Sequence, residues 1–278
     1  MQNFPVAGIP RVIIDLPSAI LDLDTHEEAT VLVRITAARP GRAADERAAE
    51  RIEVSADADT VSLFHAGPKM FALGTAHVRI TAPAGTLVEA KTGNGAITAR
   101  GSWGQASLKT SNGSIRVDSA AGLRANTSNG PVTVGAVGGR AELTSSNGSL
   151  EVGEVFGDAE LKTSNGDIRV AGAAGRLGAK TSAGTIRVGR STGETTLKTS
   201  AGAISVASLE GGSLTAATSV GEIDIDVAQG VAVWVDASTK AGSVINELRA
   251  TDGPASQATA ELRASTSLGT VRLRRFAA

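Results

Sequence analysis

Few residues in this chain have types and spacings that could do chemistry. The three histidines are His26, His65 and His77, and there is no cysteine. No histidine has a partner at metal-ligand spacing, and without thiols there is no thiolate metal site, disulfide or thiol nucleophile. Paired carboxylates come next. Glu142 and Glu160 stand 18 residues apart. If coils of that length stack, the two carboxyls become neighbours, an arrangement that raises one pKa for acid–base work. Lys162 and Arg140 fall beside them, so a solvated charge lattice is expected. A carbohydrate-active β-helix enzyme is the catalytic alternative. It needs a cleft with two acids and aromatic platforms, and aromatics are only 3% of this chain. Asp167 follows a repeated glycine as in calcium-binding solenoids, but its equivalents are Ser114, Pro131, Ser149, Thr185 and Ala203. The carboxylate column such a site requires is missing. The expectation is a protein without catalytic residues, metal or cofactor.

What remains is surface chemistry. Lys162, Lys180 and Lys198 recur at one spacing, and Lys91 and Lys109 repeat it earlier. Arg116, Arg169 and Arg187 make a second column. Stacked cations repel, so each column is either neutralised by nearby acids or kept to dock an acidic protein surface or an anionic polymer. Trp103 and Phe156 occupy a slot held elsewhere by Ala121, Ala174 and Thr192. They are expected to point outward, where they could anchor a partner. Arg140, Asp158, Arg176 and Glu194 alternate in sign, as an ion-pair ladder would. The chain holds 27 basic and 28 acidic residues, so the basic excess of a nucleic-acid binder is absent.

These columns need elements that bring every eighteenth residue together. The motif Thr-Ser-Asn-Gly and its variants end at Gly95, Gly113, Gly130, Gly148, Gly166, Gly184, Gly202, Gly221, Gly242 and Gly269. The successive spacings are 18, 17, 18, 18, 18, 18, 19, 21 and 27. A second glycine follows nine residues later in most units, so each unit is two short segments between tight corners. The segments alternate with period two, as in Ala106, Leu108, Thr110 and then Ile115, Val117. The threonines Thr110, Thr127, Thr163, Thr181 and Thr199 fall on the inward phase. The residue before the first glycine is Asn94, Asn112, Asn129, Asn147 and Asn165, then Ala183, Ala201 and Val220. That exchange implies a buried column of stacked amides. A hairpin meander does not require equivalent residues to stack; a solenoid does. The reading is all-β: a single β-solenoid (β-helix) of about ten 18-residue coils with two strands per coil.

Residues 1–85 are expected to form a β-rich N-terminal cap with one short helix at 42–51, and 86–278 the solenoid, with an irregular polar loop near 246–258. Trp234 falls in an otherwise polar slot, and that loop is expected to cover it. The terminal run Thr270–Arg275 ends in charge and is expected to protect the final edge. No signal peptide or apolar run of membrane-spanning length is visible. The chain as written is therefore expected in the cytoplasm, or at the cell surface if a leader was removed.

The repeated T-S-N-G units, the Ala/Arg/Glu-rich helix after the first strands, and the closing A-S-T-S-L-G-T-V-R-L-R-R resemble a bacterial, actinobacterial-type family of β-strand-repeat proteins. These are classed as putative adhesins with a domain of unknown function. The resemblance spans nearly the whole chain. It implies a β-helix, and it carries no functional residues over. The expected function is a non-catalytic structural or interaction protein presenting an extended charged surface. The alternative within that class is a self-associating structural solenoid, and weak self-association is also expected of the first reading.

Overall fold

The computed structural model describes residues 1–67, 74–248 and 258–275. Backbone contacts divide the chain into two compact units, Met1–Ser145 and Ser146–Ala278. Parallel strands dominate both, and equivalent residues of successive repeats face one another.

In the second unit, Ala159–Lys162, Leu177–Lys180 and Glu194–Ala201 form one parallel ladder, continued by Gly212–Val220. Leu150–Val155, Ile168–Ala173, Ile186–Ser191, Ile204–Leu209 and Ile223–Val227 form the other. The register stacks like on like: Ile168 faces Ile186, which faces Ile204, which faces Ile223. With alternate residues turned inward, these isoleucines are fully buried. Burying each such side chain contributes roughly 1.5–3 kcal/mol.

The four-residue motif is explained by its corner. The threonine is buried, and its hydroxyl donates to the carbonyl of the previous coil's corner glycine, as in Thr181 Oγ1 to Gly166 O at 3.1 Å and Thr199 Oγ1 to Gly184 O at 3.0 Å. The serine points outward. The glycine takes a positive φ, +154° at Gly184, and a Cβ there would fall 2.1 Å from the Gly166 carbonyl oxygen. Only glycine permits both the turn and the approach of the neighbouring coil. The asparagines form the expected amide ladder: Asn129 Nδ2 donates to Asn112 Oδ1 at 2.9 Å, and in the second unit Asn165 Nδ2 donates to Asn147 Oδ1 at 3.0 Å. The ladder is exposed, however, not buried. The inward turn at the corner belongs to the threonine, and the asparagine sits on the outer bend.

The last coil is threaded out of sequence order. Ala258–Leu268 lies between Gly212–Val220 and Val231–Ala241, and Val271–Arg275 lies between Ile223–Val227 and Val244–Asn246. The chain leaves a gap, builds the outer coil, and returns to fill the gap. The long spacings of 21 and 27 reflect this. The charged terminal strand is therefore an inner strand, contrary to the sequence expectation. Its arginines are used laterally: Arg272 pairs with Asp224 at 2.9 Å and Arg274 with Asp226 at 3.0 Å.

In the first unit, Arg11–His26 bends at Pro17-Ser18 and serves as a coil. It pairs in parallel with Thr60–His65 and Ala76–Pro83 on one side and with Leu87–Asn94 and Ile97–Lys109 on the other. Thus a segment expected to lie in the cap contributes inward residues of the coil stack. Antiparallel strands follow outside it: Ile52–Asp57 on Thr60–His65, Thr30–Ala37 on Ala76–Pro83, and Gln2–Pro5 on Thr30–Ala37. The helix runs Ala43–Glu50, close to its expected place. Asp45 anchors it, fully buried, accepting from Arg39 Nε at 2.7 Å and the Thr75 amide at 2.9 Å. The Arg39 guanidinium holds the Asp45 carboxyl below its ordinary range, against the opposing effect of burial.

Candidate binding face

Parallel register puts Lys162 opposite Lys180 and Lys180 opposite Lys198. Adjacent strands lie about 4.8 Å apart, so the column is a row of cations at that pitch. Lys162 is tied to Glu160 at 2.5 Å. Lys180 and Lys198 are exposed and make no ion pair among the described residues. Their outward neighbours along the strands are Gly178 and Ser182, and Thr196 and Ser200. The next residue in the row is Ala217. No acid occupies a direct ladder or along-strand position next to this pair, and its small neighbours leave it open to solvent.

The other sequence-derived candidates differ. In the first unit Lys91 faces Lys109, but Lys91 also faces Asp15 in the N-terminal coil. Lys91 and Lys109 line a groove of about 200 Å³ with Asp15, Thr92 and Ser111. Arg116 is exposed between Thr98 and Thr133. Arg169 and Arg187 share one acid, Asp167, at 3.2 and 3.6 Å, and Asp167 also accepts the Thr185 amide at 2.9 Å. This column lies on the second strand of the coil, beyond the glycine corner from the lysines, and it is neutralised locally.

The aromatic pair separates. Phe156 is exposed, following the inward Val155. Trp103 is buried, and its Nε1 donates to the Arg100 carbonyl at 3.1 Å. Counting from the glycine places it outward, as expected from sequence. An extra residue between Ala99 and Ser102, at Gly101 with φ +86°, makes a bulge that shifts the side-chain phase by one. Trp103 then shares the inward slot of Ala120 and Val137. It is a core residue and no anchor. Trp234 is more than half exposed, with Arg263 over its ring at 5.6 Å. Most of the loop expected to cover it, residues 249–257, lies outside the described residues.

The acids of the enzymatic alternative are occupied: Glu142 pairs with Arg124 at 3.2 Å and Glu160 with Lys162. In the sign-alternating column, Arg176 Nε donates to Glu194 at 3.1 Å and the Arg176 amide to Asp158 at 3.1 Å. His77 bonds Asp22 at 2.7 Å, and His26 the Thr30 carbonyl at 2.7 Å. Among the described residues no group of three potential ligands could hold a metal, and no helix is long and apolar enough to cross a membrane. Sequence reasoning missed one feature of the first unit, a groove of about 450 Å³ where Ser107 and Gln105 lie between the ion pairs Arg11–Glu89 and Arg124–Glu142. Its one visible signal is the small residue at Ser107 in a column of long charged ones.

Three comparisons bear on this geometry. The model of a family described as Toastrack DUF4097 matches residues 11–274. Solved structures of similar course include a putative adhesin from Bacteroides fragilis, 13% identical, with 98% of this chain and 95% of that one covered and a TM-score of 0.38. Two come from Parabacteroides distasonis. One is a putative adhesin, 14% identical, covering 98% and 95%, TM-score 0.43. The other is a putative lipid binding protein, 13% identical, covering 99% and 95%, TM-score 0.43. No curated protein matches the chain.

Proposed function

The chain belongs to the Toastrack DUF4097 family, and on that premise we propose that it is a non-catalytic binding protein that docks an anionic polymer along the lysine row of its second unit. The observation that carries this is the Lys180–Lys198 pair: adjacent, exposed and without an acidic partner. Cations that serve only the fold are neutralised elsewhere in the unit, as at Arg169, Arg187, Arg176, Arg272 and Arg274. Leaving two like charges side by side costs stability. A linear polyanion laid across the strands would meet one cation per coil and repay that cost.

The test is binding of a polysulfate and of a long-chain polyphosphate, measured by calorimetry at low and at physiological salt. Wild type should bind at low salt and weaken steeply as salt rises. Lys180→Glu/Lys198→Glu should abolish binding with the circular dichroism spectrum unchanged. Equal binding by the double variant, or none by wild type at low salt, would remove this reading. Retention of an acidic protein in place of the polymers would replace the polymer with that class of partner.

A further inference from the structure

The outermost coil of the second unit is unfinished. Val231–Ala241 pairs on one side with Ala258–Leu268 and on its other side with no strand among the described residues. Inner coils bury their inward residues completely, as at Leu262, Ala264, Val271 and Leu273. Their counterparts in the outer coil, Val233, Val235 and Ala237, are only half-buried, and Val244 is exposed. An open strand edge over an open core is the feature that repeat proteins cap and edge strands blunt with proline or charge. This strand has eleven residues, no proline, and two charges, Asp236 and Lys240.

Its free groups have a definite pattern. In the inner coils the amides of inward residues donate to the next strand of the stack, as Ala159 N to the Arg176 carbonyl, Thr163 N to the Lys180 carbonyl and Thr181 N to the Lys198 carbonyl. By the same register the outward residues Trp234, Asp236 and Ser238 turn their backbone toward the inner strand, and the inward residues Val233, Val235, Ala237 and Thr239 turn theirs to the free edge. The side chains of Trp234, Asp236, Ser238 and Lys240 share the outward face. Neither Asp236 nor Lys240 makes an ion pair among the described residues.

We infer that this edge pairs with the same edge of a second copy, antiparallel about a twofold axis at Ser238. A self-complementary strand requires that its own residues match when it is reversed. Reversal about Ser238 sets Asp236 opposite Lys240 of the copy, and Lys240 opposite Asp236. Trp234 then lies over Gly242, a packing that shields an edge glycine. The same reversal sets Ala237 opposite Thr239 of the copy, and both have backbone groups facing the free edge, so hydrogen bonding and charge pairing are compatible in one register. The half-buried valines of the two ends meet across the seam. Nine residues lie outside the described structure between this coil and the inner one, R-A-T-D-G-P-A-S-Q. Their composition supplies no large apolar side chain to close the core instead.

Sedimentation velocity over a concentration series tests this. Wild type should be a reversible dimer. Asp236→Lys and Lys240→Asp should each weaken dimerisation roughly tenfold or more, because each turns two attractive pairs repulsive. The combined swap should restore it to within about threefold. Ala237→Pro removes an edge amide that faces away from the inner strand, and should give a monomer with an unchanged circular dichroism spectrum. A wild-type monomer at about 100 µM, or a dimer indifferent to the reversals and the proline, overturns the inference. Neither result touches the lysine row, which lies on other strands.

Discussion

Thr181→Val separates two accounts of the threonine column. Thr181 is 1% exposed, and its hydroxyl donates to the Gly166 carbonyl at 3.1 Å. Valine has the same shape and exchanges that hydroxyl for a methyl. If the slot asked only for a β-branched residue on an inward strand face, valine would be neutral or stabilising by a few tenths of a kcal/mol. The geometry says otherwise. The carbonyl sits part-buried at a corner glycine, and losing its donor leaves that acceptor unsatisfied at a cost of about 1–3 kcal/mol. Thr181→Ser keeps the donor and loses one methyl, about 0.8 kcal/mol. The expected stability order is therefore Thr, then Ser, then Val. Guanidinium unfolding followed by far-ultraviolet circular dichroism measures it, with the slope checked for constancy across variants. A valine variant as stable as wild type would refute the carbonyl-sealing role and return the column to shape and strand propensity.

The same packing sets three further outcomes. Gly184→Ala should cost about 3 kcal/mol or more, from its positive φ and the approach to the Gly166 carbonyl, whereas Gly178→Ala, with its nearest neighbour 3.8 Å from the added carbon, should stay within about 0.5 kcal/mol in the same unfolding assay. Trp103→Ala should cost about 3–5 kcal/mol and Phe156→Ala less than about 0.5, and a reversal of that order would contradict the assigned phase of the bulge at Gly101. The lowered Asp45 carboxyl means that its contribution is present above the ordinary carboxylate pKa of about 3.9 and is lost as pH falls through the lower folded value. Hydrogen exchange of the Thr75 amide should accelerate in that acid window and, in Asp45→Asn, should already be fast at neutral pH.

Periodicity and the asparagine column together carried the architecture. Spacing near 18 with period-two alternation also suits a hairpin meander, and the recurring asparagine column favours stacked coils; the inward threonines, the corner glycines and the amide ladder follow from that stacking. The lysine row was legible for the same reason, since residues one repeat apart become ladder partners. Whether a cation in such a row is free was not legible, because it depends on which acid lies within reach across strands. Asp167 quiets Arg169 and Arg187, while nothing comparable reaches Lys180 and Lys198. Local phase also escaped the sequence. One inserted residue near Gly101 turns Trp103 inward, and the outer bend of the corner exposes asparagines whose replacement by alanine and valine read as burial. The largest decision left to tertiary structure was the stacking order at the ends. A parallel ladder accepts any strand with the right inward pattern, so a pattern names the members of the stack without naming their neighbours. Arg11–His26 and the final coil are therefore inserted between coils that are remote from them in sequence. The free edge falls on Val231–Ala241 because the chain turned back before it ended.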